Sequence, residues 1–142
     1  MRALLDVNVL IALLDANHTS HRAAMDWFAA HASDGWASCP ITQNGCLRIM
    51  SHASYPNARA VRDIADRLRD ATATSVHEFW GDDISLLDDR AVDTSRVHGP
   101  RQLTDVYLLA LAVKHTGCLV TFDRALARNA VHSAKEANLV VL

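Results

Sequence analysis

The sequence predicts an α/β fold, a central, mostly parallel sheet of four to five strands flanked by helices, in one domain over residues 1–142. Three observations carry this expectation. Short continuous apolar runs recur along the chain, the mark of buried parallel strands. Between them lie stretches whose apolar residues repeat with the helical period. No stretch is long enough to serve as an interdomain linker. The 142 residues are 50% hydrophobic, which suffices for one core.

In chain order, residues 2–6 form the first strand, and Asn8 caps a short helix over Val9–Leu14. DANHTS is a loop, and Thr19 or Ser20 caps a helix from about His21 to Ala32. Ala24, Trp27, Phe28 and His31 share one face of it. Gly35–Cys39 is the second strand. Pro40 and Thr42 start a helix that runs to about Ser51, where SYPN breaks it. Pro56 suits the entry to the next helix, in which Val61, Ile64, Ala65 and Leu68 face inward. Arg59, Arg62, Arg67 and Arg69 decorate its solvated face. Val76–Phe79 reads as an edge strand, Asp83 as the cap of a short helix over Ile84–Leu87, and Asp88–Pro100 as the longest loop.

The most informative stretch is QLTDVYLLALAVKHTGCLVTFD, residues 102–123. Thr104 is a good N-cap, so Asp105 falls in the first helical turn, where the dipole favours a carboxylate. Val106–Val113 is apolar on nearly every face, so this helix is buried. Gly117 reads as its C′ glycine, Cys118–Phe122 as a central strand, and Asp123 lies just past it. Ala125–Ala130 and Ser133–Ala137 are short helical pieces, and Leu139–Leu142 is the last strand.

Three acids stand out in this layout. Asp6 interrupts an apolar run, and an unpaired buried carboxylate is very costly, so it belongs at a strand end, in a pair, or on a metal. Asp105 begins a helix, and Asp123 ends the strand that returns antiparallel to that helix. All three therefore fall on the carboxyl edge of the sheet, where open α/β folds bind ligands. Taken singly, Asp105 is a helix-capping acid and Asp123 a loop acid; together the three would repel and raise a pKa. A divalent cation removes that penalty, and an all-oxygen site with retained waters suits Mg2+, with Mn2+ as substitute. Such a metal can bind phosphate and orient a water for in-line attack.

Composition narrows the classes. The formal net charge of −2 provides no global basic field, so nucleic-acid chemistry must come from a local patch. The three cysteines, Cys39, Cys46 and Cys118, have no CxxC spacing and read as buried free thiols of a reducing cytoplasm. No apolar run reaches membrane-spanning length, and Asp6 breaks any signal-like segment. His18 and His21 invite a metal reading, but their spacing lies across a helix cap and fits packing or loop hydrogen bonds better. There is no GxxxxGK[ST] or GxGxxG.

LLDVNVLIALL, HGPRQLTDVYLLALA and LVTFDRAL, in that order, resemble the motifs of the PIN domain, in the variant found in VapC toxins of bacterial toxin–antitoxin pairs. NHTSHRAAMDWF and GWASCPITQNGCLRIMS resemble the same toxins, so the likeness covers most of the chain. It implies a Mg2+-dependent endoribonuclease, a homodimer, and a VapB-type antitoxin that blocks the site. By motif, Asp6 and Asp105 match the principal metal ligands and catalytic acids, Asp123 the C-terminal acid, and Asn8 and Thr121 supporting polar neighbours. Arg48, Arg101 and Arg124 flank the acidic motifs and are candidate RNA contacts. One departure is visible: many PIN domains carry a glutamate where this chain has Gly45, with Gln43 near but neutral. That departure bears on whether one metal or two are held. It also leaves a non-catalytic binding module as an alternative. A haloacid-dehalogenase-type phosphatase is a further one, since DVNV resembles that signature with Asn8 in place of its second acid. A receiver domain is disfavoured, because no mid-chain strand visibly ends in a phosphorylatable Asp.

Overall fold

The computed structural model describes residues 1–142. Five strands, β1 (Ala3–Leu5), β2 (Trp36–Ser38), β3 (His77–Phe79), β4 (Cys118–Thr121) and β5 (Leu139–Val141), form one sheet in the order β3-β2-β1-β4-β5. Every pairing is parallel, with Leu4 opposite Ala37 on one side and Leu119 on the other. The helices are α1 (Val7–Leu14), α2 (His21–His31), α3 (Pro40–Met50), α4 (Val61–Thr72) and α5 (Leu103–Lys114). The expected strands and long helices are all present, with ends shifted by a residue or two except at the start of α4, which lies several residues later than expected.

The three central strands β1, β2 and β4 are buried along their whole length, whereas the edge strands β3 and β5 are partly exposed. Leu4, Ala37 and Leu119 point to one side, into a core built on Val106–Ala112 of α5. Ala3, Leu5, Trp36 and Val120 point to the other, where α1, α3 and α4 supply Leu10, Cys46, Met50 and Ile64. Cys39, Cys46 and Cys118 are buried free thiols in these cores. β1 is the centre of the sheet: the chain builds outward to β2 and β3, then returns to its other side with β4 and β5. The β1/β4 boundary is therefore the topological switch point, where open α/β sheets present a crevice.

Several local expectations change. Asp6, not Asn8, is the N-cap of α1: Asp6 is extended (φ −60°, ψ 156°), and its carboxylate accepts from the Val7 N–H. Both residue types cap well; the end of β1 after Leu5 decides between them. α5 starts at Leu103, after a 3-10 turn over Pro100–Gln102, so Thr104 lies inside the first turn and does not cap it. Gly117 is C″ and not C′. Thr116 takes the left-handed conformation (φ 54°), and the Gly117 N–H reaches the Ala112 carbonyl at 2.8 Å in a Schellman arrangement. Glycine is required at 117 for another reason: a Cβ there would sit 2.5 Å from the Arg2 carbonyl oxygen and 2.8 Å from the Trp80 ring.

Ile84–Leu87 forms no helix. So short a helix would have to nucleate on its own. Instead Ile84 and Leu86 pack on the α5 core from an irregular segment that turns at Leu86–Leu87, while Lys114 holds Asp83 at 3.1 Å. The pieces after Asp123 shrink to 3-10 turns at Arg128–Ala130 and Glu136–Asn138, because the Ala130 carbonyl and Val131 pair with the 91–93 segment. Pro56 lies in a turn well before α4, which begins at Val61. That turn is pinned to α1 by the Tyr55 hydroxyl, which donates to Asp15.

Candidate metal-dependent nuclease site

Asp6 leaves the centre of the sheet and is 5% exposed. Its carboxylate is held on both oxygens: the Val7 N–H donates to Oδ1 at 2.6 Å and the Thr121 hydroxyl to Oδ2 at 2.8 Å. Thr121 closes β4 and is fully buried; its hydroxyl oxygen also accepts the Asp123 N–H at 3.0 Å. One threonine thus ties the β1 acid to the loop that carries the β4 acid. Asp123 is fixed in turn by the Ala125 N–H, which donates to Oδ1 at 2.7 Å.

Asp105 arrives from the first turn of α5. The Gln102 side chain donates to the Ala125 carbonyl at 2.7 Å and so latches the entry of α5 to the loop after Asp123. Burial, the charge of Asp6, and a hydrogen bond and charge from Asp123 push the Asp105 carboxyl up to about 7. Asp6 is also raised, chiefly by burial and further by the Asp123 charge, against the lowering effect of its Thr121 and Val7 hydrogen bonds. Asp6, Asp105 and Asp123 are therefore brought together at the switch point and repel one another.

This donor set fits a divalent hard cation. All three groups are carboxylates, and adding positive charge relieves the repulsion that raises Asp105. No group of three acid, histidine or cysteine side chains stands together so as to hold a metal ion by itself. An open arrangement suits Mg2+, which keeps several waters and takes only one or two carboxylates.

The other sequence candidates make no hydrogen bond or ion pair to the three acids. Asn8 is exposed on the first turn of α1 and bonds to none of the carboxylates. Gln43 is committed elsewhere: its amide donates to Ser38 Oγ at 2.9 Å, and Ser38 also meets His77 Nε2 at 2.9 Å. That serine is fully buried, so the Ser–His contact is structural. His18 accepts from the Ser20 N–H and His21 bonds the Ala12 carbonyl, so both histidines organise the loop before α2. Arg48, Arg101 and Arg124 form no ion pair in the structure.

Gly45 is buried against α1. A Cβ there would meet Val7 Cγ2 at 2.7 Å and Cγ1 at 3.1 Å. The position is where α3 approaches the first turn of α1, and Val7 fills the space a larger residue's stem would need. Val7 and Gln102 escaped the sequence reading. Apolar Val7 carries no chemical signal of its own, and the latch of Gln102 joins residues far apart in the chain.

Comparisons with known proteins agree with this geometry. The PIN domain family matches residues 3–131. Ribonuclease VapC44 of Mycobacterium tuberculosis is 51% identical over the full length of both chains. Ribonuclease VapC39 of the same organism is 47% identical over 92% of this chain and 94% of its own. A crystal structure of VapBC2 from Rickettsia felis, bound to a DNA fragment from their promoter, shares the fold with a TM-score of 0.61. It is 13% identical, covering 100% of this chain and 98% of that one. The acid cluster at the switch point, the parallel five-stranded sheet and these matches place the chain in the PIN-domain family, among the VapC-type ribonucleases.

Proposed function

We propose that this chain is the toxin of a VapBC-type pair, an endoribonuclease that uses Asp6, Asp105 and Asp123 with a divalent cation to cut RNA phosphodiester bonds. The observation that carries the reading is the convergence of Asp6, Asp105 and Asp123 at the switch point, where burial and the neighbouring charges raise the Asp105 carboxyl. Asp6 and Asp105 would hold Mg2+, or Mn2+ in its place, with Asp123 as the third acid. When bound, such a cation supplies the charge that stabilises a phosphate under attack and activates a water. The chain's own residues set the geometry. Val7 and Thr121 fix both oxygens of Asp6, and the Gln102 latch keeps Asp105 beside Asp123. Arg48, Arg101 and Arg124, free of acidic partners, would hold backbone phosphates.

The reading extends to partners. A VapB-type antitoxin would occupy the apolar groove of about 330 Å3 where Leu13, Leu14, Met25, Phe28 and Leu68 converge. A homodimer and a cytoplasmic location belong to the same proposal. No helix is long and apolar enough to cross a membrane.

The test is Asp6→Asn, which keeps size and a capping oxygen but removes charge. RNA cleavage in Mg2+ and growth arrest on expression should vanish while the fold persists by circular dichroism. Equal cleavage by the variant, or by wild type in excess EDTA, would refute the assignment. Light scattering at tens of micromolar reports on the dimer, and a strictly monomeric mass removes it.

A further inference from the structure

A polar cleft of about 400 Å3 adjoins the acid cluster; Val7, Asn44, Gly45, Arg48, Asp82 and Thr104 are among the residues that line it. It is continuous with the site by bonding and by sequence: the Val7 N–H holds Asp6, and Thr104 precedes Asp105. Asp82 reaches the same edge of the sheet because Trp80 extends β3, its N–H bonding the Ser38 carbonyl at 2.9 Å. Two features of the lining are unusual. Arg48 and Asp82 carry opposite charges in one cleft, yet neither forms an ion pair with the other or with any other residue. The one side-chain partner of Asp82 is the Cys39 thiol, a weak donor. Exposed opposite charges that line one cleft unpaired suit a ligand that is anionic at one end and rich in N–H donors at the other.

We propose that this cleft is a nucleotide subsite of the ribonuclease, in which Arg48 holds a phosphate and Asp82 selects a guanine. This rests on the ribonuclease reading above and adds a base preference to it. A carboxylate only accepts hydrogen bonds. Among the bases, guanine alone offers two adjacent donors, N1–H and the N2 amine, on its Watson–Crick edge. Adenine and cytosine each place a ring acceptor beside their exocyclic amine, and uracil flanks its single N–H with carbonyls, so each sets a lone pair against the carboxylate. Single-stranded RNA presents these edges for direct reading. The cleft is polar, which favours a nucleotide over an apolar peptide segment.

The experiment uses the full chain and fluorescence anisotropy in EDTA at low ionic strength. The probes are labelled single-stranded hexaribonucleotides of uridine with one central guanosine or one central adenosine. Wild type should bind the guanosine probe about tenfold more tightly, the discrimination expected of one bidentate base contact. Asp82→Asn should abolish that preference. Arg48→Ala should weaken both probes alike and reduce the slope of log affinity against log salt by about 0.7, the value for one phosphate on a single strand. Both residues are exposed, so both variants should melt with wild type; Arg48→Lys should recover part of the affinity. In Mg2+, the bases at the cut ends of total RNA should shift away from guanine in Asp82→Asn.

A wild type that cuts RNA but shows no guanine preference sinks the subsite alone, as does a preference that survives Asp82→Asn. Loss of antitoxin binding in both variants with RNA binding untouched assigns the cleft to the protein partner and overturns the proposal. A wild type that neither binds nor cuts RNA removes the ribonuclease reading and the subsite with it.

Discussion

Asp105 and Thr121 are the residues whose surroundings say most. A carboxyl whose pKa rises on folding, here from 3.8 to about 7, holds its proton more tightly in the folded state. Its contribution to stability is full below the unfolded pKa and is lost as pH rises through the folded one. In EDTA the melting temperature of wild type should therefore fall as pH rises from about 4 to about 8, and Asp105→Asn should flatten that decline. An unaltered slope in the variant, measured by differential scanning fluorimetry, would show that Asp105 is not the group under strain. Thr121 makes a different prediction. Thr121→Val keeps the shape but leaves the Asp123 N–H and one Asp6 oxygen without their partner. Urea unfolding should show a loss of about 1–3 kcal/mol, the usual cost of stranding a buried polar group. Thr121→Ser should retain most of the stability.

At the scale of elements, α3 packs against the first turn of α1 at Gly45, beside the acid cluster. Gly45→Glu drives a Cβ into Val7, so the single substitution should lose about 1–3 kcal/mol of stability, as overpacked contacts do. Val7→Ala removes both methyl groups that would clash. The double variant should recover stability beyond the sum of the single effects, a coupling that a double-mutant cycle reads directly. Titration calorimetry with Mn2+ then asks whether a carboxylate at 45 faces the cluster once there is room. Tighter or additional Mn2+ binding in the double variant is expected, and unchanged binding would place position 45 away from the metal.

For the whole molecule, the parallel sheet brings residues far apart in sequence to one edge and holds them there. That strained edge should be relieved by a divalent cation. Mn2+ at a hundredfold excess over its Kd should stabilise the fold by about 2.7 kcal/mol through mass action alone. Protons compete with metal for Asp105, so the increment should grow as pH rises through about 7. It should disappear in Asp6→Asn. A thermal shift of the same size in that variant would locate the cation elsewhere.

The sequence by itself determined the architecture and singled out the three acids as candidates. Continuous apolar runs mark doubly buried strands, the all-apolar α5 marks a core helix, and a carboxylate inside LLDVNVL announces itself because burial penalises it. The motif order carried the family as well. What only the tertiary structure decided are relations between residues distant in the chain. Asp6 caps α1 in preference to Asn8, because a strand of just three residues ends at Leu5. Thr116 takes the left-handed turn, because Gly117 is needed where the backbone meets Arg2 and Trp80. Ile84 and Leu86 pack on the core from an irregular segment, because those contacts outweigh a helix too short to nucleate. Gly45 answers to Val7, and Asp82 shares a cleft with Arg48, through approaches of backbone and side chain that no local pattern encodes. Propensity and periodicity act over a few residues, whereas steric fit and charge pairing act between whichever residues the sheet brings together.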